Sequence, residues 1–322
     1  MASSPAPVGR FLFRTKTARH ACALAMLSAT LALPRTAHAE DPDRVEWSKD
    51  WPRVRVAEVV DVIGLTLGSY AIDAFWKPPH SSQWSGGILF DNAVRSVLRG
   101  RNEKTQQTAS DMSDYLYKGG TLAPYVIDVF FVTLSVHENA DVALEMLLIN
   151  MQSLGLTGVV TLAAEHTVAR SRPYVGDCGP DGNVRDANGN LLFNKCDGVG
   201  DYQSFYSGHA AAVTTMAGLT CAHHQHIPLY GGGFPDLVPC LVMIGAAAST
   251  GVTRLVADRH WATDVVLGYG IGFVSGYVLP SMLHYGFTSG HPVGEIRTKN
   301  MRLIPSPMML QGGAGFSLIG LF

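Results

Sequence analysis

Long apolar stretches separated by shorter polar segments run through the middle of the chain. Each stretch is longer than a typical strand and contains few β-turn signals, so each predicts a helix. An early stretch runs from Val56 to Trp76. The later ones occupy residues 121–136, 141–170, 208–222, 238–253 and 260–284. The pattern therefore predicts an all-α fold, a bundle of packed helices.

Changes in composition divide the rest of the chain around this helical core. Residues 77–120 are rich in Lys, Ser, Asn, Gln and Gly, so surface segments or short helices are expected there, within an N-terminal helical extension of residues 40–120. The core is assigned to residues 121–285, and a Gly- and Pro-punctuated tail to residues 286–322. Inside the core, residues 174–204 are dense in Gly, Asp and Asn, which predicts an inserted loop or hairpin.

Residues 1–39 are typical of a secretory signal peptide. A basic segment without acidic residues precedes an apolar stretch from Ala21 to Leu33, and Ala37 and Ala39 form a small-residue cleavage pattern. We therefore predict export to the periplasm and a mature chain that begins near Glu40. A retained membrane anchor is the alternative interpretation of the apolar stretch.

Composition and charge narrow the classes of protein. Hydrophobic residues make up 47% of the chain and charged residues 16%, so there is ample apolar surface for a core. The formal net charge is −2, and residues 40–322 alone carry 19 basic and 26 acidic side chains. A body with this negative excess is not expected to bind the phosphate backbone of nucleic acids.

The apolar stretches leave two interpretations of the surroundings of the bundle. Uncharged runs at residues 146–164, 237–253 and 265–283 approach the roughly 20 residues of a membrane span. However, Asp61 and Asp128 lie in other apolar stretches, where a membrane would penalise them, and the mean hydropathy is only +0.14. A soluble or peripherally attached bundle is preferred, and a polytopic membrane protein is the alternative.

Four cysteines remain beyond the signal peptide: Cys178, Cys196, Cys221 and Cys240. An even number in an oxidising compartment predicts disulfides, and three pairings are possible. We favour pairing between sequence neighbours, 178 with 196 and 221 with 240, because it closes two short loops. Each closure stabilises the folded protein by about 3 kcal/mol, since it lowers the entropy of the unfolded chain. Four buried thiols are the alternative.

Candidate chemistry lies at the ends of the apolar helices. In the first of three segments, Arg170 and Arg172 precede Pro173, which is expected to stop the helix and leave two guanidiniums at its end. The planar guanidinium makes bidentate, charge-assisted hydrogen bonds to two phosphoryl oxygens. This segment therefore predicts an anion-binding helix end.

Two further segments add to this chemistry. Residues 207–209 read Ser-Gly-His, where Ser207 caps the next helix and the following amides face outward at the positive end of its dipole. The third segment contains Arg254, His260 and Asp264. The last two are four residues apart, so on a helix they share one face, and the carboxylate is expected to orient the imidazole.

Together, the three segments resemble the signature of the phosphatidic acid phosphatase type 2, bacterial non-specific acid phosphatase and vanadium haloperoxidase superfamily. Its pattern is KxxxxxxRP, then PSGH, then SRxxxxxHxxxD, over roughly residues 121–285 of this chain. The order and the internal spacings match at Arg172-Pro173, Ser207-Gly208-His209, Arg254, His260 and Asp264.

The resemblance implies a role for each matching residue. His260 would attack phosphorus and form a phosphohistidine, with Asp264 holding its ring. His209 would protonate the leaving oxygen and later activate water, and no metal is required. Two histidines with different roles imply a bell-shaped pH profile. The phosphoryl oxygens would be bound by Arg172, Ser207, the Gly208 amide and Arg254.

This chain departs from the family pattern at three positions. Tyr206 replaces a proline and Thr253 a serine, neither of which carries catalytic chemistry. Glu165 stands where the family has its lysine, seven residues before Arg172. Loss of one charge-assisted contact to phosphate costs about 1.5–3 kcal/mol unless another cation, with Arg170 the nearest, replaces it. Alternatively, Glu165 pairs with one of these arginines and only tunes its position.

The expected function is an exported phosphatase that hydrolyses phosphomonoesters or diphosphates, with lipid phosphates such as phosphatidic acid or a polyprenyl diphosphate preferred over soluble esters. One alternative is a phosphate- or vanadate-binding homologue with weak or no hydrolysis. The other is a vanadium-dependent haloperoxidase, in which vanadate, as cofactor, would bind His260. A membrane surface is a further candidate partner, and the oligomeric state is not predicted.

His223, His224 and His226 form one more cluster of candidate ligands. They have no matching acids or thiols nearby in the sequence, so they are expected as solvent-exposed imidazoles in a polar loop rather than as a metal site.

Overall fold

Helices dominate the protein, which confirms the predicted all-α bundle. The computed structural model describes residues 45–179, 181–185, 189, 191–193, 196, 200–286, 296–298, 301–310 and 313–321. The predicted signal peptide, residues 1–39, lies outside the described residues, so export stays a prediction.

Seven helices follow one another within the described residues. The first four are α1 (Val56–Phe75), α2 (Asp91–Leu98), α3 (Glu103–Ala123, continued by a π-helical segment, Pro124–Val136) and α4 (Ala140–Val168). The last three are α5 (Gly208–His226), α6 (Phe234–Val256) and α7 (Ala262–Phe273, continued by π-helical segments Val274–Val278 and Ser281–Tyr285). Each apolar stretch singled out in the sequence lies largely within one of these helices.

The first half of α3 differs from the expectation of surface segments or short helices. Asn102 caps this helix, because its side chain accepts a hydrogen bond from the Thr105 amide at 2.8 Å. The helix is polar, yet Ser110 and Ser113 lie on a buried face. A buried face of small polar side chains has no hydrophobic periodicity, so the sequence pattern does not reveal it.

The central helix, α5, packs closely against α7. Gly268, Gly272 and Gly276 recur every four residues on α7. A β-carbon on Gly272 would lie 2.4 Å from the carbonyl oxygen of Ala211, and one on Gly276 would lie 1.9 Å from that of Thr215. Only glycine allows the two backbones to approach this closely. The contact brings the start of α7 beside the start of α5.

Both disulfides join sequence neighbours, as predicted. The Cys178–Cys196 bond has an S–S distance of 2.16 Å and lies in the insert. The Cys221–Cys240 bond, at 1.99 Å, links α5 to α6. The alternative of four free thiols is therefore excluded.

Strands occur in the insert and in the tail. In the insert, β1 (Val184–Arg185) and β2 (Leu191–Phe193) pair antiparallel, which agrees with the predicted hairpin. In the tail, β3 (Ile296–Thr298), β4 (Met301–Leu310) and β5 (Gly313–Leu321) form a three-stranded antiparallel sheet. This small sheet is an addition to the helical fold.

Four helical stretches are long and apolar enough to cross a membrane. They are Glu103–Val136, Ala140–Val168, Phe234–Val256 and Ala262–Tyr285. Between 28% and 39% of their most apolar windows is buried inside the protein, and many large apolar side chains point outward. So much exposed apolar surface is typical of a lipid-facing protein. Of the two forms preferred from the sequence, a soluble or a peripherally attached bundle, the structure therefore disfavours the soluble one and favours membrane association.

Candidate active site

His260 lies between α6 and α7 with its ring held in one orientation. Its Nδ1 is 2.7 Å from the carbonyl oxygen of Ser204, and because a carbonyl only accepts, Nδ1 carries the proton. Nε2 therefore has a lone pair, and it lies 3.3 Å from Nη2 of Arg254. Burial, and then the charges of Arg254 and Arg172, hold the pKa of His260 well below its usual range. The ring is thus neutral.

Two arginines from different segments place positive charge beside His260. Arg254, in the last turn of α6, is buried, and its Nη1 donates to Oγ of Ser113 at 3.2 Å. Arg172, in the segment after α4, is half-buried, and its Nε donates to the carbonyl oxygen of Gly200 at 2.6 Å. A guanidinium has five N–H donors, so both arginines retain donors for an oxyanion.

His209, the second residue of α5, faces α3. Its Nε2 donates to Oδ1 of Asp114 at 2.9 Å, and the centroids of its ring and that of Tyr117 are 4.7 Å apart. Burial, and then the charge of Arg254, lower the pKa of His209 to about 4, against an opposing effect of Asp114. A bound anion would offset the arginine charge and favour protonation of this ring.

The start of α5 presents backbone amides to the same place. Ser207 is fully buried, and its Oγ caps the helix at 3.5 Å from the Ala210 amide. A β-carbon on Gly208 would lie 2.8 Å from Cγ2 of Thr161 on α4, so this position requires glycine. The Gly208 amide lies at the positive end of the helix dipole, where an anion is stabilised.

These elements bring four of the predicted side chains together. His260 and His209 each interact electrostatically with both Arg172 and Arg254, and the two rings also interact with each other. The two arginines repel one another at this position. Like charges held together are typical of a site that binds an anion.

Asp264 does not contact the His260 ring, which corrects the expected direct orientation. Its Oδ2 accepts from Oγ of Ser204 at 2.6 Å and from the Trp261 amide at 3.1 Å, and its Oδ1 accepts from Nη1 of Arg170 at 2.5 Å. The carboxylate therefore holds Ser204, whose carbonyl oxygen holds His260. Asp264 is a positioning residue that acts through the backbone.

Arg170 is not a phosphate ligand, which corrects the expectation that it substitutes for the family lysine. Ala169 adopts a left-handed conformation with φ 45°, ends α4 and turns Arg170 inward. The side chain is fully buried and donates to Asp91 at 2.7 Å as well as to Asp264. The guanidinium also lies 4.1 Å from the ring centroid of Trp84. Two carboxylates satisfy its charge inside the protein.

Glu165, in the last turn of α4, lies in the site itself. Its Oε1 is 3.6 Å from the position of a β-carbon on Gly208, and it interacts electrostatically with Arg172 and Arg254. The alternative that it pairs with Arg170 is not supported, because the Nη atoms of Arg170 bind elsewhere.

Comparison with known families shows which proteins this chain is similar to. Residues 147–291 match the family model of the PAP2 superfamily. This match contains every motif residue from Glu165 to Asp264 and confirms the resemblance. A solved structure similar to this chain is that of the first transmembrane PAP2 type phosphatidylglycerolphosphate phosphatase from Bacillus subtilis, with 15% identity over 70% of this chain and 94% of that chain and a TM-score of 0.41. No curated protein matches the sequence.

Residues outside the PAP2 match complete the site, and the sequence analysis missed them. Ser113, Asp114 and Tyr117 of α3 contact Arg254 and His209. Tyr117 lies three residues after Asp114 and four after Ser113, and these helical spacings are the signal that was available. The polar composition of residues 77–120 obscured it.

The histidine cluster beside the PAP2 motifs is buried, contrary to the expectation of exposed imidazoles. His223, His224 and His226 are 1%, 2% and 1% exposed, because α5 extends through them and is central to the bundle. Nε2 of His223 lies 2.9 Å from Oδ1 of Asn150, and Nδ1 of His224 lies 2.6 Å from Oδ1 of Asp236. These contacts are structural ones within the core.

Proposed function

We propose that this protein is a phosphoric ester hydrolase that transfers the phosphoryl group of a lipid phosphate to His260 and then to water. The PAP2 match supports a phosphatase of the lipid-phosphate type. The orientation of His260 supports the mechanism. The Ser204 carbonyl accepts a hydrogen bond from the protonated Nδ1, and the Nε2 lone pair lies beside the cations that would bind the phosphate.

In the first step, Nε2 of His260 attacks phosphorus. The new P–N bond forms as the P–O bond to the lipid alcohol or phosphate breaks. Protonated His209 gives its proton to the leaving oxygen, so this group departs neutral at that oxygen. Arg172, Arg254 and the Gly208 amide hold the equatorial oxygens, where the transition state spreads its charge.

In the second step, water attacks the phosphohistidine. Neutral His209 takes a proton from this water as the new P–O bond forms and the P–N bond breaks. Phosphate leaves, and His260 returns with its lone pair. Because His260 must be neutral and His209 protonated at the start, the rate is expected to follow a bell-shaped pH profile.

The proposed location follows from the apolar helices and the disulfides. Four stretches able to cross a membrane support a substrate that is itself in the membrane, such as phosphatidic acid or a polyprenyl diphosphate. Two disulfides support an oxidising compartment, in agreement with export to the periplasm. Fractionation of expressing cells tests both, with the protein expected in the membrane fraction and its amino terminus processed.

The test of function measures phosphate release by the full chain in detergent. Phosphatidic acid and a polyprenyl diphosphate are compared with p-nitrophenyl phosphate, and lipid substrates are expected to turn over faster. His260→Ala should reduce the rate by about 10³-fold or more, while a variant of exposed His80 should not change it. Radiolabelled substrate should leave an acid-labile label on the wild-type protein only.

Other results of the same assay identify the alternatives. Phosphatase activity that survives His260→Ala rejects this residue as the nucleophile. Oxidation of bromide with added vanadate, without phosphate release, indicates a haloperoxidase. Binding of vanadate without either activity indicates a homologue that binds phosphate and does not hydrolyse its esters.

A further inference from the structure

The carboxyl group of Glu165 lies beside the position proposed for the substrate phosphate. Its Oε1 lies 3.6 Å from where a β-carbon on Gly208 would be, at the start of α5. The carboxyl group also interacts electrostatically with Arg172 and Arg254. The Gly208 amide and these two guanidiniums are the groups proposed to hold phosphoryl oxygens. A phosphate bound by them is therefore an immediate neighbour of Glu165.

No donor within the described part of the chain satisfies this carboxyl group. Burial and the charges of the two arginines determine whether Glu165 is ionised. No described side chain or amide donates a hydrogen bond to its carboxyl group. The ionisable groups that face it come from four elements: Tyr117 of α3, Arg172 after α4, Tyr206 before α5 and Arg254 of α6. A half-buried carboxyl group without a hydrogen-bond partner among the described residues is available to a ligand.

A third guanidinium, that of Arg259, interacts electrostatically with Arg172 and Arg254, but among the described residues only those two arginines act on Glu165 itself. Arg170 is held by Asp91 and Asp264 inside the protein. An ionised Glu165 would place a further negative charge beside a bound phosphate dianion, and protonation of Glu165 removes that charge.

An ionised carboxylate and a phosphate dianion are not both stable at hydrogen-bond distance in a buried site. When two acidic groups share such a site, one of them keeps a proton, and the proton lies in a hydrogen bond between them. Here the carboxylic acid of Glu165 would donate to a phosphoryl oxygen, in the place where the family uses a lysine ammonium.

We propose that Glu165 binds the phosphoryl group as a carboxylic acid, so that each phosphate enters the site together with one proton. This inference rests on the proposed function and adds to it a preference for acidic conditions. The proton stays between Glu165 and an equatorial oxygen and is not transferred to the leaving group, which remains the task of His209. The site thus selects a phosphate together with a proton rather than a bare dianion.

The experiment measures binding of inorganic phosphate to the full chain by calorimetry, in buffers of different ionisation enthalpy. The wild-type protein should take up about one proton more per bound phosphate than Glu165→Gln, whose amide donates without a proton. At about pH 8, Glu165→Gln should bind phosphate about 10- to 100-fold more tightly than the wild type. The difference should shrink at about pH 5.

A matched control is Glu103→Gln, which makes the same change at an exposed position in the first turn of α3. It should bind phosphate and take up protons as the wild type does. Glu165→Lys is the second test variant, because it restores the family residue and is expected to bind phosphate tightly over the whole pH range, without extra proton uptake. If Glu165→Gln does not fold, the comparison of Glu165→Lys with the wild type decides.

The outcomes separate this inference from the proposed function. Equal proton uptake by the wild type and both variants, with phosphate binding and phosphatase activity intact, overturns the role of Glu165 alone. Weaker phosphate binding by Glu165→Gln at every pH also overturns it. A wild-type protein that neither binds phosphate nor releases it from any substrate overturns both proposals.

Discussion

Single residues in the site divide into those that face the proposed anion position and those that hold these residues in place. His260, His209, Arg172 and Arg254 belong to the first group. Asp264 and Arg170 belong to the second, because their charged atoms bind one another and not the site. The distinction is testable, since a positioning residue also contributes to stability.

Asp264→Asn is expected to reduce stability as well as activity. Asp264 and Arg170 are both 0% exposed and lie 2.5 Å apart, and breaking a buried ion pair costs about 3–5 kcal/mol. Thermal unfolding of the variant measures this loss. The exposed pair of Asp181 and Arg185 provides the control, because Asp181→Asn should leave the unfolding temperature nearly unchanged. Unaltered stability of Asp264→Asn would contradict the positioning role.

His209→Ala should have an effect that depends on the leaving group. A lipid alcohol needs a proton as it departs, so the rate for phosphatidic acid should fall by about 10²- to 10⁴-fold. p-Nitrophenolate leaves without a proton, so its phosphate ester should lose far less. Rate constants for the two substrates give the comparison. An equal loss for both would exclude His209 as the acid.

At the scale of elements, the contact between α5 and α7 positions the site. The starts of the two helices are joined by the amide of Ser207, which donates to the carbonyl oxygen of Asp264 at 3.1 Å. Further along, glycines let the backbones touch. The positions of the motif residues on both helices therefore depend on a row of glycines that take no part in the proposed reaction.

Gly272→Ala is expected to push these helices apart. Its β-carbon would meet the carbonyl oxygen of Ala211 at 2.4 Å, and overpacking of this kind costs about 1–3 kcal/mol. Gly270→Ala is the matched control, because no atom lies within 4 Å of its β-carbon and alanine favours the helix by about 0.5–1 kcal/mol. Denaturant unfolding should rank Gly270→Ala above the wild type and Gly272→Ala below it.

At the scale of the whole molecule, buried histidines make stability depend on pH. Burial, and then neighbouring histidine charges, lower the pKa of His223 to about 3, and the pKa values of His209 and His260 are also lowered. The same side chains in the unfolded protein have a pKa of about 6.5. Between these values the unfolded state binds more protons than the folded one.

The free energy of unfolding should therefore fall as the pH falls from about 6.5 towards 4, by about 1.4 kcal/mol per pH unit for each such histidine. His224 opposes this trend, because despite its burial the neighbouring carboxylates of Asp128 and Asp236 raise its pKa. Unfolding free energies at about pH 7 and pH 5 measure the slope. His223→Gln should flatten it, and an unchanged slope would show that His223 does not contribute.

Several features of the protein could be predicted from the sequence because they depend on residues that are close along the chain. The helices follow from apolar stretches of 15 residues or more, and the disulfides join cysteines separated by 18 and 19 positions. The motif residues were recognisable from short spacings, such as the six residues from Arg254 to His260.

Only the tertiary structure decided which polar groups are partners. Asp264 binds Arg170 at a separation of 94 residues, and Asp114 binds His209 at 95. The polar face of α3 and the burial of His223 likewise depend on helices that are distant in sequence. A charged side chain inside a protein takes whichever opposite charge the fold brings near, and residue types and local spacings alone do not specify that choice.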